Sequence, residues 1–143
     1  MAISFSNDNI TFNLKRKSEL KAWIKSVIEK EKHDLGNLNY TFLSDDSLLK
    51  INIEYLKHNT YTDIITFNYN EGKKVNGDIF ISVDRVKENA SKFEVSFEEE
   101  LHRVIIHGVL HLCGYKGKTK ADSELMRKKE NLSLRQLKSP KKG

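Results

Sequence analysis

Residues 104–114, Val-Ile-Ile-His-Gly-Val-Leu-His-Leu-Cys-Gly, constrain the fold more than any other stretch of the chain. The run is apolar nearly all round, which predicts a helix enclosed by the rest of the molecule and not a striped surface helix. Its two histidines, His107 and His111, stand four residues apart, so both imidazoles share one helix face, one turn apart. Polar rings on a buried helix need partners. Two readings are open: core histidines hydrogen-bonded to neighbours, or two nitrogens of a divalent metal site. Gly114 suits the left-handed residue that ends a helix. The residues just beyond it would then be thrown across the face of both rings, where a third ligand belongs.

The spacing His-x-x-x-His-x-x-Gly-x-x-ligand is that of the metzincin zinc peptidases, whose second residue is a Glu acting as general base. Here that position is Gly108, and the third-ligand position is Gly117. A zinc peptidase needs a carboxylate to take the proton from metal-bound water, so peptide hydrolysis by that route is not expected. A four-coordinate ion held by His107 and His111 would draw its other donors from water, Tyr115, a carboxylate such as Asp122, or a neighbouring chain. Asp122 equally suits a helix cap. Cys113 should point to another helix face and pack in the core. His58 reads as a surface histidine in a polar loop, and His102 lies too far round the helix to share an ion with His107. Ser96 and Glu99 form a capping box that opens the helix, and Glu98, Glu99 and Glu100 suit its positive end, which is a sufficient structural account of all three.

Elsewhere the pattern alternates between strand and helix periods without a regular βα repeat. Ile3–Phe5 and Ile10–Phe12 suit an opening strand or turn. Lys15–Glu31 carries Leu20, Trp23, Ile24, Val27 and Ile28 on one helical stripe. Leu38–Leu43 alternates as a strand, and Ser44-Asp45-Asp46 caps a short helix. Ile64–Tyr69 and Val75–Ser82, joined by Asn70-Glu71-Gly72-Lys73, read as a hairpin. Helices follow over Val83–Phe93 and Ala121–Leu134. The fold class expected is α+β, a mixed sheet of about four strands packed against helices with the histidine helix central. The length suits one domain, residues 1–137, followed by a basic tail over 138–143. The only proline is Pro140, a single cysteine excludes an intrachain disulfide, and neither a membrane-length apolar run nor a leader pattern is found, so a cytoplasmic protein with no membrane association is expected.

Net charge is +5, but it is segregated: residues 1–114 hold 15 Lys and Arg against 17 Asp and Glu, and residues 115–143 hold 10 against 3. Positive charge gathered just past the histidine helix would attract a polyanion. The basic side chains of Lys15–Lys25 sit on an exposed helix face and need no partner.

Several blocks together carry a family resemblance. His107-Gly-Val-Leu-His111-Leu-Cys-Gly114-Tyr115 resembles the HGxLHLxGYDH signature of the YbeY family. Glu99-Glu100 resembles the acidic pair before it, Gly77-Asp78-Ile79-Phe80-Ile81-Ser82 its GDIxIS strand, and Asn52, Tyr55 and Thr62–Phe67 its LNxxYRxxDxPTDVLSF block; Met126 and Glu130 also fit. This chain departs at Gly117 for the third His, Lys116 for the Asp before it, and Leu56 for the Arg after the Tyr. The resemblance implies a zincin-like cleft between sheet edge and metal helix. It also implies a metal-dependent, single-strand-specific endoribonuclease of rRNA maturation and ribosome assembly, with a small-subunit ribosomal protein and an assembly GTPase as partners. On that reading His107 and His111 hold one zinc ion and act through its bound water, and Lys116, Lys118, Lys120, Arg127, Lys128 and Lys129 hold the RNA backbone. The alternative is a noncatalytic RNA- or ribosome-binding assembly factor with a degenerate metal site.

Overall fold

The structure, a computed structural model, describes residues 2–138. The basic tail expected over 138–143 lies, from residue 139 on, outside the described residues. Four strands, β1 (Ala2–Asn7), β2 (Asp34–Leu43), β3 (Ile64–Asn68) and β4 (Lys74–Ser82), alternate irregularly with five helices: α1 (Lys17–Lys30), α2 (Asp45–Leu56), α3 (Val83–Lys92), α4 (Phe97–Leu112) and α5 (Lys120–Lys138). The sheet order is β1-β2-β4-β3. β1 and β4 both run parallel to β2, and β3 returns antiparallel at the open edge. The α+β class with a four-stranded mixed sheet is therefore observed.

Differences from the sequence reading are local. Ile10 and Phe12 lie beyond β1 and pack against the core from a connecting segment. β2 begins at Asp34 and not near Leu38, because the strand continues through an irregularity between Leu35 and Leu38 where Asn37 N donates to Asn76 Oδ1. Side-chain alternation does not show a strand that crosses a bulge. The last helix outruns its expected end at Leu134 and reaches Lys138.

Strand alternation sends side chains to two faces. Leu38, Tyr40 and Phe42 of β2 and Val75, Ile79 and Ile81 of β4 meet Trp23 and Ile24 of α1 and Val104, Ile105 and Ile106 of α4 in the main core. Ile65, Phe67 and Phe80 face the other way, where Leu48 and Ile51 of α2 join them and Leu43. Two polar side chains tie the main layer together. Tyr40 Oη donates to the Ile105 carbonyl at 3.1 Å, and Trp23 Nε1 donates to the Ser133 carbonyl at 2.8 Å.

α4 is held at both ends as its sequence predicts. Ser96 accepts from Glu99 N at its start. At its end Gly114, with φ of 108°, lets Gly114 N reach the His111 carbonyl and Tyr115 N the Leu110 carbonyl. These two bonds are those of a Schellman motif. Along its length the helix lies close on the sheet at Gly108, where an added Cβ would stand 3.0 Å from Ile64 Cδ1 and 3.2 Å from Ile79 Cδ1.

Candidate functional site

One face of α4 escapes the core. Although Leu101, Ile105, Ile106, Gly108, Val109 and Leu110 are buried, His107 is half-buried and His111 is exposed, so the histidines do not sit in the interior as the all-round apolar pattern implies. The reason is the antiparallel edge strand β3. Among the described residues no further strand lies beside it, and the helix face above β3 opens into a cleft. Residues 100, 103, 107 and 111 follow the helical 3–4 spacing, so Glu100 and Arg103 continue the stripe towards the helix start.

The two rings face one another edge to face, with centroids 5.7 Å apart and an interplanar angle of 84°. His107 Nδ1 lies 2.6 Å from Glu130 Oε2, and the other carboxylate oxygen accepts from Arg103 Nη1 at 3.0 Å. Glu130 is buried. Burial alone would raise its pKa, but the hydrogen bond and charge of His107 and the bond from Arg103 outweigh it and hold the carboxyl below its ordinary value. A carboxylate oxygen accepts, so in the neutral ring this bond places N–H on His107 Nδ1 and leaves Nε2 for a ligand. His111 is held below the usual histidine value by its partial enclosure and then by His107. Asp63 and Glu100 are pushed up, in both cases mainly by burial. Together with Arg103, Arg127, Glu130 and His107 they line a recess of about 270 Å³ behind the rings.

Two larger hollows meet at the histidine pair. One, of about 770 Å³, is walled by Asn68, Gly114, Lys116, Gly117, Lys118, Arg127 and Glu130. The other, of about 460 Å³, runs along β3 and the loop before it and includes His58, Tyr61 and Asp63.

Of the expected site residues, the fold brings together His107, His111, Lys116, Lys118 and Arg127. Lys120 and Lys128 are exposed but do not line these hollows. Lys129 turns elsewhere: its Nζ lies 3.3 Å from Glu31 Oε2 and over the Tyr115 ring, on the side where α5 meets α1. Tyr115 is likewise engaged, donating from Oη to Glu31 Oε1 at 2.6 Å, which takes it away from the ligand role considered for it. Asp122 lies inside the first turn of α5, where its N donates to Thr119 Oγ1 at 3.0 Å, so the cap is Thr119 and not Asp122. Cys113 packs against the core, and burial pushes its thiol up to about 12. His102 is buried beside Trp23, away from the cleft. His58 is exposed, as expected, yet shares a hollow with His107 and His111.

Among the described residues no group of three or more His, Cys, Asp or Glu stands ready to hold a metal ion. The donor set is two imidazoles, and His107 is backed by a buried carboxylate, the arrangement that fixes tautomer and ring orientation in metal-binding histidines. Those two residues fit a divalent ion, with its remaining positions left to water or substrate. Glu130, Asp63 and Arg103 line the recess beside His107 although sequence reasoning assigned them no role there, Glu130 and Asp63 having appeared only as positions that match the family blocks. Arg103 was visible as a polar interruption in step with the two histidines. Glu130 lies 23 residues beyond His107 on another helix, and no spacing rule links the two.

Comparison with known proteins sets these residues in context. The family model described as endoribonuclease YbeY matches residues 3–138. This chain belongs to the YbeY family. Its relatives include the endoribonuclease YbeY of Flavobacterium johnsoniae, 52% identical over 87% of this chain and 90% of that protein. The YbeY of Flavobacterium psychrophilum is 51% identical over 93% and 94%. The solution structure of a Thermotoga maritima protein aligns with a TM-score of 0.68 and 28% identity, covering 95% of this chain and 89% of that one. Membership in the YbeY family supports nuclease activity in rRNA processing as the general function and RNA as the partner. No helix among the described residues is long and apolar enough to cross a membrane.

Proposed function

We propose that this chain is a metal-assisted, single-strand-specific endoribonuclease acting in the cytoplasm on rRNA during ribosome assembly. The observation that carries the reading is the His107–Glu130 contact at 2.6 Å beside His111, at the junction of a cleft whose larger half is lined by Lys116, Lys118 and Arg127. His107 and His111 would hold the ion, zinc being the one that suits imidazole donors. Held there by His107 and His111, such an ion would lower the pKa of a water and offset charge at the scissile phosphate. The remaining work falls to the chain itself. Glu130 keeps the proton on His107 Nδ1 so that Nε2 faces a ligand, and Arg103 keeps Glu130 in place. Lys116, Lys118 and Arg127 attract the RNA backbone, with Lys120 and Lys128 at the rim. A ribosomal small-subunit protein and an assembly GTPase are the protein partners proposed with it.

A second reading is favoured by one specific observation, the exposed Gly117 at the position where a third histidine would complete the ligand set. On that reading the chain binds rRNA without cutting it. Incubation of the purified protein, with and without one equivalent of zinc, with a single-stranded RNA and the matching duplex separates the two. The enzyme reading expects zinc-dependent cleavage of the single strand that His107→Ala abolishes. RNA binding with no cleavage at any zinc concentration supports the noncatalytic reading instead.

A further inference from the structure

The two hollows that meet at the histidines differ in chemistry. The larger is cationic, with Lys116, Lys118 and Arg127 in its wall. The smaller has no lysine or arginine in its lining, and its charged side chain is the carboxylate of Asp63. It is instead bordered by the loop between α2 and β3, which contributes Tyr61 and His58. A nucleotide is divided in the same way, into an anionic phosphate and an uncharged planar base.

The loop is held ready. Asn52, buried in α2, donates from Nδ2 to the Thr60 carbonyl at 2.7 Å, and His58 N donates to the Asn52 carbonyl. Tyr61 is fixed at its hydroxyl, which donates to Asp46 Oδ1 at 3.1 Å. The Arg85 guanidinium, itself bonded to Asp45 at 2.7 Å and outside the lining of the hollow, lies over one face of the Tyr61 ring, 5.3 Å from its centre, so a base would stack on the other face. An aromatic ring so braced, yet 51% exposed, has its position settled before any ligand arrives. Exposed aromatic rings beside a cationic groove are the means by which proteins hold unpaired bases.

We propose that Tyr61 is a nucleobase platform: the base next to the phosphate at the histidine pair is unstacked into the hollow along β3 and stacks on the Tyr61 ring, with His58 within the same wall to meet the base edge. The inference rests on the reading of the cleft as an RNA site and adds how single strands are selected. A base held in a duplex is stacked and paired, so it cannot enter the hollow while its phosphate reaches the histidines.

The test is equilibrium binding of a labelled short single-stranded RNA, followed by fluorescence anisotropy in EDTA so that no strand is cut. Tyr61→Ala is expected to weaken binding about tenfold, the scale of one lost base–aromatic stack. Tyr61→Phe, which keeps the ring, should stay within about twofold, and neither variant should change the salt dependence, since no phosphate contact is lost. An abasic scan of the RNA against the unaltered protein should find one position with the same tenfold loss, and that loss should vanish in Tyr61→Ala. If Tyr61→Ala binds as the parent does, or if every abasic position is neutral, while Lys116→Ala still weakens binding, the platform is overturned and the RNA reading stands. No RNA binding by the unaltered protein overturns both.

Discussion

On the metal-site reading proposed above, Gly117 and Glu130 are the residues that set how tightly an ion would be held. Gly117 lines the same hollow as His107 and His111, no atom lies within 4 Å of the place its Cβ would take, and its backbone is outside the left-handed region. A histidine can therefore be placed there without strain. Gly117→His is expected to tighten zinc binding by about an order of magnitude or more, as a third imidazole joins a two-imidazole set, measured by competition with a chromogenic chelator. An unchanged dissociation constant would show that the loop after Gly114 does not carry residue 117 to the ion. Glu130 acts from behind His107, and such carboxylates typically contribute about 10–100-fold to metal affinity. Glu130→Gln should lose zinc affinity by at least tenfold. Its effect on folding has a defined pH window. Because the folded carboxyl is held below its ordinary value, the stability its charge contributes is complete above the unfolded value of about 4.3 and fades as pH falls below it. Urea denaturation should show Glu130→Gln less stable than the parent at neutral pH, with the two converging in acid.

At the scale of elements, the cleft exists because α4 lies close against β3 and β4. Gly77 on β4 is one point of close approach: an added Cβ would meet the Phe67 carbonyl of β3 at 2.7 Å and Leu112 Cδ1 at 2.9 Å. The first of these is backbone and cannot swing aside, so Gly77→Ala must push apart the edge of the sheet. A cost of about 1–3 kcal/mol is expected, read as a fall in the urea midpoint without a change in slope. Gly108 belongs to the same contact. Where the metzincin pattern has its catalytic Glu, this helix faces Ile64 and Ile79, so a carboxylate there would enter the apolar layer between helix and sheet.

For the whole molecule, the segregation of charge becomes a division of labour only in three dimensions. Lys116, Lys118 and Arg127 reach the cleft, while Lys129 is spent on Glu31 and fastens α5 to α1. Binding of single-stranded RNA should weaken with salt at a slope of roughly 0.7 per phosphate contact. Replacing Lys116 and Lys118 together by alanine should lower that slope by about 1.4, whereas Lys129→Ala should leave it unchanged. An equal effect from Lys129→Ala would mean that RNA also runs along the α1–α5 side.

The sequence by itself determined the elements, the α+β class, the helix that carries both histidines with its caps at Ser96 and Gly114, and the family. Those are properties of local periodicity, capping chemistry and motif, all written within a few turns of the chain. What it did not determine is which face of an apolar helix stays open. That depends on β3 being the last strand of the sheet, a fact of topology and not of α4. Nor did it show that Glu130, one helix away, is the partner of His107, or that Lys129 pairs with Glu31, because both contacts join residues whose separation along the chain follows no period. Only the packing of α5 across α4 and α1 decided them.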